Sequence, residues 1–380
     1  MRTFLESCLI STILLALSAC GGGGGGDGVD EGDDAVAAAP AVLGPYHYFE
    51  LVCRSQSFRF IEAGPVEADA TGVLTGETQR YFDFLTTPES LASSRVTVLA
   101  NDGALENTQL DGDALRRGGV GEGNHLAMLA AGDDFPNLAL LSRPTTNSGS
   151  AFRAGRHHFV LFSPSVGETN WGKVDVAGDG SGVVSAAQRN VNGAIQLSSM
   201  ETLSFLPGPN GAVALSSGFE GGPPLEFEGV VSDGGRLVMA SRTDERSDPR
   251  PMLVAAVRAP ADADVGLFAG RYWIAAFFSR SDEDLDEYDA ATLIGVVEAD
   301  GVGGCTLDGV LNADGSFQRV EDEGGSYAIE SDGTFRLAFV EFFSEGGIDE
   351  QGRHAVLGGS GVGQFPPHMV LLVRQPSPAD

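Results

Sequence analysis

From residue 43 onward one pattern occurs three times, and this recurrence constrains the fold more than any other feature of the 380-residue chain. Each unit opens on Gly-x-aromatic and an apolar strand. The openings are Gly44-Pro45-Tyr46, Gly155-Arg156-His157 and Gly270-Arg271-Tyr272, with Phe49, Phe162 and Phe277 in the strands that follow. Each unit closes on an apolar run, then Arg, then Pro: Leu138 to Arg143 with Pro144, Leu253 to Arg258 with Pro260, and Val370 to Arg374 with Pro376. The openings lie 111 and 115 residues apart. Internal landmarks keep the same order: Gly72, Gly182 and Gly303, then Gly103, Gly211 and Gly333 after Asp or Asn, then Gly119-Val120, Gly229-Val230 and Gly347-Ile348. Such spacing marks a repeat of roughly 100 residues. The units span residues 43–144, 152–260 and 267–377.

Within a unit, short runs alternate apolar and polar residues, as in Thr334-Phe335-Arg336-Leu337-Ala338-Phe339. That period of two belongs to a half-buried strand. The breaks are Asp-Gly or Asn-Gly, for example Asp102-Gly103, Asn210-Gly211, Asp300-Gly301 and Asp332-Gly333. Such pairs accept the positive φ angles of tight hairpin turns, so successive strands are antiparallel neighbours. Residues 88–94 and 282–291 are expected to form single helical turns. The fold class is all-β, with about eight strands per unit, and two architectures fit. Each unit could close into an up-and-down barrel, which removes exposed edges. Alternatively, two four-stranded blades per unit would build a six-bladed propeller. The openings, hairpins and closing strands resemble those of lipocalin-like (calycin-like) barrels, where first and last strands pair. The lipocalin opening carries Trp where this chain has Tyr46, His157 and Tyr272. The resemblance implies a fold and not a ligand.

Ahead of the repeats, Arg2 and the apolar residues from Leu9 to Leu17 form an export signal too short to span a bilayer. Leu17-Ser18-Ala19-Cys20 resembles the lipobox of bacterial lipoproteins. By that resemblance, residues 1–19 are a signal peptide and Cys20 is lipidated to become the first residue of the mature chain. Two or more acyl chains make membrane residence long-lived. Gly21, rather than Asp, follows the cysteine. In enteric-type lipoproteins this implies the outer rather than the inner membrane. Residues 20–42, rich in Gly, acidic residues, Ala and Pro, read as a flexible tether.

The net charge of −30 includes a single lysine, Lys173. So acidic a surface disfavours nucleic acid and anionic headgroups, leaving the lipid on Cys20 as the membrane contact. Cys53 and Cys305 sit at non-equivalent places in different repeats, which favours two unrelated buried thiols over a disulfide. Gly167-Glu168-Thr169-Asn170-Trp171-Gly172-Lys173-Val174 nearly spells a phosphate loop, but Val174 stands where Ser or Thr should hold magnesium. It reads as a hairpin loop. The run Asp282 to Asp289 has Glu287 where a calcium loop needs glycine. It reads as a solvated acidic loop, with weak calcium binding the alternative.

His157 and His158 are neighbours on a strand and point to opposite faces. His47, His125, His354 and His368 are isolated, and His125 and His354 fall at equivalent places in units one and three. Trp171 and Trp273, with the opening aromatics, read as core. Arg143, Arg258 and Arg374 are expected to cover the barrel ends and meet the opening aromatic. No catalytic, metal or cofactor constellation emerges. The chain reads as a non-enzymatic, lipid-anchored envelope protein for binding, display or structure, with a small apolar or carbohydrate-like ligand as one option. Its protein or small-molecule partner is not specified. The rival is a propeller-type hydrolase or lyase acting on an envelope glycan.

Overall fold

The computed structural model describes residues 42–376, apart from 56–57, 83–85, 91–93, 100–101, 110–114, 132–135, 146–153, 244–249, 282–287, 314, 341 and 360–365. The signal segment, Cys20, the tether and most of the acidic run therefore lie outside the described residues. All the extended structure is antiparallel. The first unit contributes β1 (Gly44–Ser55), β2 (Phe58–Ala68), β3 (Val73–Phe82), β4 (Thr86–Ser90), β5 (Ser94–Val98), β6 (Ala104–Gln109), β7 (Leu115–Val120), β8 (Leu126–Ala131) and β9 (Asn137–Ser142). The second contributes β10 (Gly155–Ser163), β11 (Glu168–Val176), β12 (Gly182–Val191), β13 (Ala194–Leu197), β14 (Met200–Pro207), β15 (Ala212–Phe219), β16 (Leu225–Ser232), β17 (Leu237–Arg242) and β18 (Leu253–Arg258). The third contributes β19 (Ala269–Ser281), β20 (Tyr288–Asp300), β21 (Gly304–Ala313), β22 (Ser316–Ile329), β23 (Thr334–Ala338), β24 (Phe343–Ile348), β25 (His354–Gly359) and β26 (His368–Arg374).

Each unit closes on itself. β1 bonds to both β2 and β9, and the ring runs through β3, β5, β6, β7 and β8, with β4 a spur on β3. The second ring has the same order, with β13 a spur on β12. The third has eight strands and no spur. The joints between β3 and β5 and between β12 and β14 are thin, resting on Val73↔Arg95, Leu74↔Ser94 and Val183↔Thr202. First-to-last pairing excludes the propeller, whose blades are separate open sheets, and with it goes the channel on which the hydrolase reading depended. Where the two expected helical turns are described they are strand, residues 88–90 in β4 and 288–291 in β20; residues 91–93 and 282–287 lie outside the described residues. The phosphate-loop lookalike is strand from Glu168 onward.

Three of the four apolar clusters fill barrel interiors. Tyr46, Tyr48, Leu74 and Leu129 pack inside barrel one, Phe159, Phe205 and Phe227 inside barrel two, and Phe268, Tyr272 and Phe335 inside barrel three. The fourth is the largest and lies between the barrels, joining Phe49 and Leu51, Phe162 and Trp171, and Trp273 and Phe277. First and last strands thus have both faces covered. That is why the closing segments are unbroken apolar runs, with all six residues of β9 buried, while strands away from the shared core, such as β15, alternate. Trp171 and Trp273 are core, as expected, but of the shared core and not of a barrel interior.

Candidate functional site

The barrels dock in a ring, one seam per pair, and equivalent residues build each seam. The Asp-Gly or Asn-Gly turn of each barrel presents a glycine at positive φ, Gly103 (+84°), Gly211 (+76°) and Gly333 (+81°), a conformation that side chains resist. Against each glycine packs the closing proline of the preceding unit. Pro144 meets Gly211, Pro260 meets Gly333, and Pro376 returns to Gly103.

A second ring of contacts caps this one. The turns after β7, β16 and β24 each carry an acid and, three residues on, a base: Glu122 and His125, Asp233 and Arg236, Glu350 and Arg353. Each base reaches the acid of the next barrel. His125 Nε2 lies 3.1 Å from Asp233, Arg236 Nε 3.2 Å from Glu350, and Arg353 Nη2 3.5 Å from Glu122. His125 and His354, isolated in the sequence, are thereby brought to either side of buried Asp233. The acid-x-x-base spacing in every repeat was the signal that could have found this ring.

Asp233, Asp349 and His354 bring one ligand atom each within 4.8 Å of one another, a spacing a metal would accept. Their existing partners argue for a lock instead. His354 Nδ1 donates to Asp349 Oδ2 at 2.7 Å, and the amides of Gln351, Arg353 and His354 donate to the same carboxylate. Burial pushes Asp349 up, but the His354 contact and these amides outweigh it and hold the group below the usual carboxylate range. His125, Arg236 and Arg353 surround Asp233 Oδ1. With Asp233 Oδ1 ringed by His125, Arg236 and Arg353, and Asp349 held by His354 and three backbone amides, the cluster works as a fastening between barrels.

The seams differ at one position. In the seam between barrels three and one, Trp273 lies on Gly119 and its Nε1 donates to the Asp102 carbonyl at 3.2 Å. In the seam between barrels two and three, His158 lies on Gly347 and its Nε2 donates to the Asp332 carbonyl at 2.9 Å. Ladder register identifies the third member. Gly119 pairs with Ala104 and Gly347 with Thr334, whereas Ala212 pairs with Val230. The landmark Gly229 is therefore one residue out of step. It matches Gly118 and Gly346, glycines forced by close approach to the carbonyls of Met239, Met128 and Val356. Val230 occupies the docking position and offers a side chain where a ring would need bare backbone.

The residue that would dock there is His47, and it lines a cleft of about 590 Å³ between barrels one and two. Pro65, Glu77 and Tyr81 share its first wall, Glu228 and Ser241 its second. Burial pushes His47 down to about 4, so its ring is neutral at ordinary pH. Burial, then the charge of Glu228, pushes the Tyr81 phenol up to about 12. A smaller cavity of about 290 Å³ flanks Trp273 in the seam between barrels three and one.

The closing arginines lie beside the opening aromatics in two of the three units. Arg143 sits 5.0 Å over the Tyr46 ring and donates to its hydroxyl at 3.0 Å and to the Leu43 carbonyl. Arg374 sits 5.5 Å over Tyr272, donating to its hydroxyl at 2.8 Å and to the Leu267 carbonyl at 3.0 Å. In the second unit His157 turns inward onto Phe205, and Arg258 reaches Glu350 of barrel three at 3.4 Å. Gly44 and Gly155 open β1 and β10 and Gly270 is the second residue of β19, all three at positive φ. Cys305 is a free, buried thiol, pushed up to about 12 by burial and then by Asp300.

No protein-family model matches the chain, and no curated protein sequence matches it. Among solved structures, a mutant of the vaccine antigen transferrin-binding protein B from Haemophilus parasuis Hp5 aligns at 9% identity over 88% of this chain and 76% of that one, with a TM-score of 0.27. The isotype 1 transferrin-binding protein B of serogroup B Neisseria meningitidis aligns at 10% identity over the same shares, with a TM-score of 0.27. A DUF3598-family protein of unknown function from Nostoc punctiforme aligns at 9% identity over 61% of this chain and all of its own length, with a TM-score of 0.18. Likeness at this level carries no functional inference.

Proposed function

We propose that the chain is a non-enzymatic, lipid-anchored protein of the cell envelope, held at the outer membrane through Cys20, whose three-barrel head captures a small molecule or a partner group at a seam between barrels. The observation that carries this reading is the contrast between filled interiors and an open seam. Phe, Tyr and Leu side chains occupy all three barrel interiors, which removes the space a lipocalin-like carrier would use. The cleft beside His47 is of the size that small ligands occupy, roughly 300–1,000 Å³. Its wall is mixed, with Ala63, Pro65 and the Tyr81 ring beside Glu77, Gln79, Glu228 and Ser241, which suits an occupant that carries both polar and apolar parts. The titratable cluster at the ring axis is taken up by contacts between barrels, so it supports fastening rather than turnover.

Expression of the full chain in a diderm bacterium fed radiolabelled palmitate tests the anchor. Wild type is expected to carry label and sediment with outer membranes, and Cys20→Ser to lose both. Label retained by Cys20→Ser would overturn the anchor. Native mass spectrometry of the gently purified chain tests capture. The expected result is an added mass that disappears when His47→Trp fills the cleft; an added mass unaffected by that substitution would place binding elsewhere.

A further inference from the structure

We propose that the cleft between barrels one and two binds small organic cations, through an ammonium or guanidinium group, with Glu228 as the counter-charge. The inference rests on the proposed reading of this cleft as the binding site and adds the class of ligand.

Three observations point to positive charge. Carboxylates stand on both walls, Glu77 on β3 and Glu228 on β16, and no lysine or arginine among the described residues lines the cleft. Neither carboxylate has a hydrogen-bond or ion-pair partner among the described residues. The equivalent places in the other barrels supply the counter-charge that is missing here. In barrel three, Glu345 stands opposite Arg336, with a contact of 2.7 Å. In barrel one, Arg117 stands opposite Glu106. In barrel two the residue opposite Glu228 is Ala214. An acid keeps its place there while the strand position that would hold its base carries a methyl group.

The remaining wall suits the same ligand. Tyr81 presents an aromatic ring with its hydroxyl held by Gln79 at 2.9 Å, and rings of this kind attract ammonium and guanidinium groups. His47 stays neutral at physiological pH and adds no opposing charge. The net charge of −30 repels anions from the whole surface and draws cations toward it.

Calorimetric titration of the full chain in detergent, at low ionic strength, uses arginine amide as the probe and maltotriose as the uncharged comparison. Hydrogen exchange locates any binding. The expected result is binding of arginine amide with protection at residues 77–81 and 226–230, weakened about tenfold or more by Glu228→Gln, a loss typical of a charge-assisted contact. Glu201→Gln, at an exposed place on β14, is expected to leave the affinity unchanged. Equal weakening by the two substitutions would overturn the proposal in favour of diffuse surface charge. Maltotriose binding in the cleft, indifferent to Glu228, would overturn the ligand class and leave the cleft standing. Absence of protection at both segments with either probe would overturn the site itself.

Discussion

The seam between barrels three and one and the seam between barrels one and two are built from equivalent strands, yet in one an aromatic ring packs onto the facing strand and leaves a cavity of about 290 Å³, while the other holds a cleft of about 590 Å³. Where they differ is small. Gly119 lies under Trp273, while the matching ladder position facing the His47 strand carries Val230. A single Cβ in a close approach decides whether two curved sheets meet directly or leave a gap, because packed interiors yield little to added volume. In a molecule built by repetition, the departures from repetition are where specific chemistry can lodge. Here the departure at the gap coincides with the one that leaves Glu228 without a base opposite it on the neighbouring strand, where Ala214 stands.

Deleting the plug is the strongest way to break this contrast. Trp273 is 9% exposed and belongs to the shared core. Trp273→Ala is expected to cost about 3–5 kcal/mol, the usual range for a large aromatic removed from a core. His47→Ala, at the edge of an existing gap, is expected to cost less than about 1 kcal/mol. Equilibrium denaturation in guanidinium measures both. Similar losses at the two positions would mean that the seams are equally closed in solution.

Acid tests the sealed side next. His368 lies in β26, and its carbonyl accepts a hydrogen bond from Thr169 across the seam between barrels two and three at 3.1 Å. Its Nδ1–H donates to the Pro366 carbonyl at 2.9 Å, so Nε2 accepts from the Ser344 hydroxyl at 2.7 Å and the ring is neutral. Burial pushes it from 6.5 down to about 4. A histidine depressed in the folded state is protonated first in the unfolded chain. Its contribution is therefore complete above pH 6.5 and is lost as pH falls toward about 4. The shift corresponds to a loss on the order of 3 kcal/mol. Stability measured against pH is expected to fall through that window in wild type and to fall less steeply in His368→Gln, with His157 and His158, pushed down by burial in the same way, keeping the rest of the slope. His47 is depressed similarly, but its ring is half-buried at the cleft, and solvent reduces its share. Asp332 and Asp349 do not blur the window. Both are held below the ordinary carboxylate value of 3.8, so their contributions fade only in stronger acid.

The strand content, the three units and their closure were legible because each has a local signature. Asp-Gly turns fix hairpins, alternation fixes faces, and the closing runs are apolar at every position because both faces of those strands are covered. Gly103, Gly211 and Gly333, with Pro144, Pro260 and Pro376, were visible as landmarks, but a landmark does not say what it touches. That each proline meets the glycine of the next barrel depends on contacts more than 65 residues apart along the chain, which local patterning does not encode. The one-residue slip at Gly229 has the same origin. Gly229-Val230 resembles Gly119-Val120 as text, and only the ladder partner Ala212 shows that Val230 takes the docking place. The cleft was illegible for a stronger reason, since it is defined by a side chain that fails to dock.

The smallest expected effect concerns the arginines that close the units. Arg374 stacks on Tyr272 and holds its hydroxyl together with the Leu267 carbonyl, so three kinds of contact converge on one guanidinium. Arg258 has no tyrosine beside it and makes an ion pair with Glu350 at 3.4 Å between partly exposed groups. Stacking and hydrogen bonds donated by a partly exposed guanidinium, as in the first kind, are worth about 1–2 kcal/mol together. A partly exposed pair of the second kind is worth about 0.2–1 kcal/mol. Arg374→Ala is therefore expected to lower the melting temperature more than Arg258→Ala, with Arg143→Ala close to Arg374→Ala because Tyr46 repeats the tyrosine contact. If Arg258→Ala proved the most damaging of the three, its link to Glu350 in the next barrel would outweigh the closing of its own. The ring of acids and bases at the axis, rather than the barrel ends, would then be the place where these arginines act.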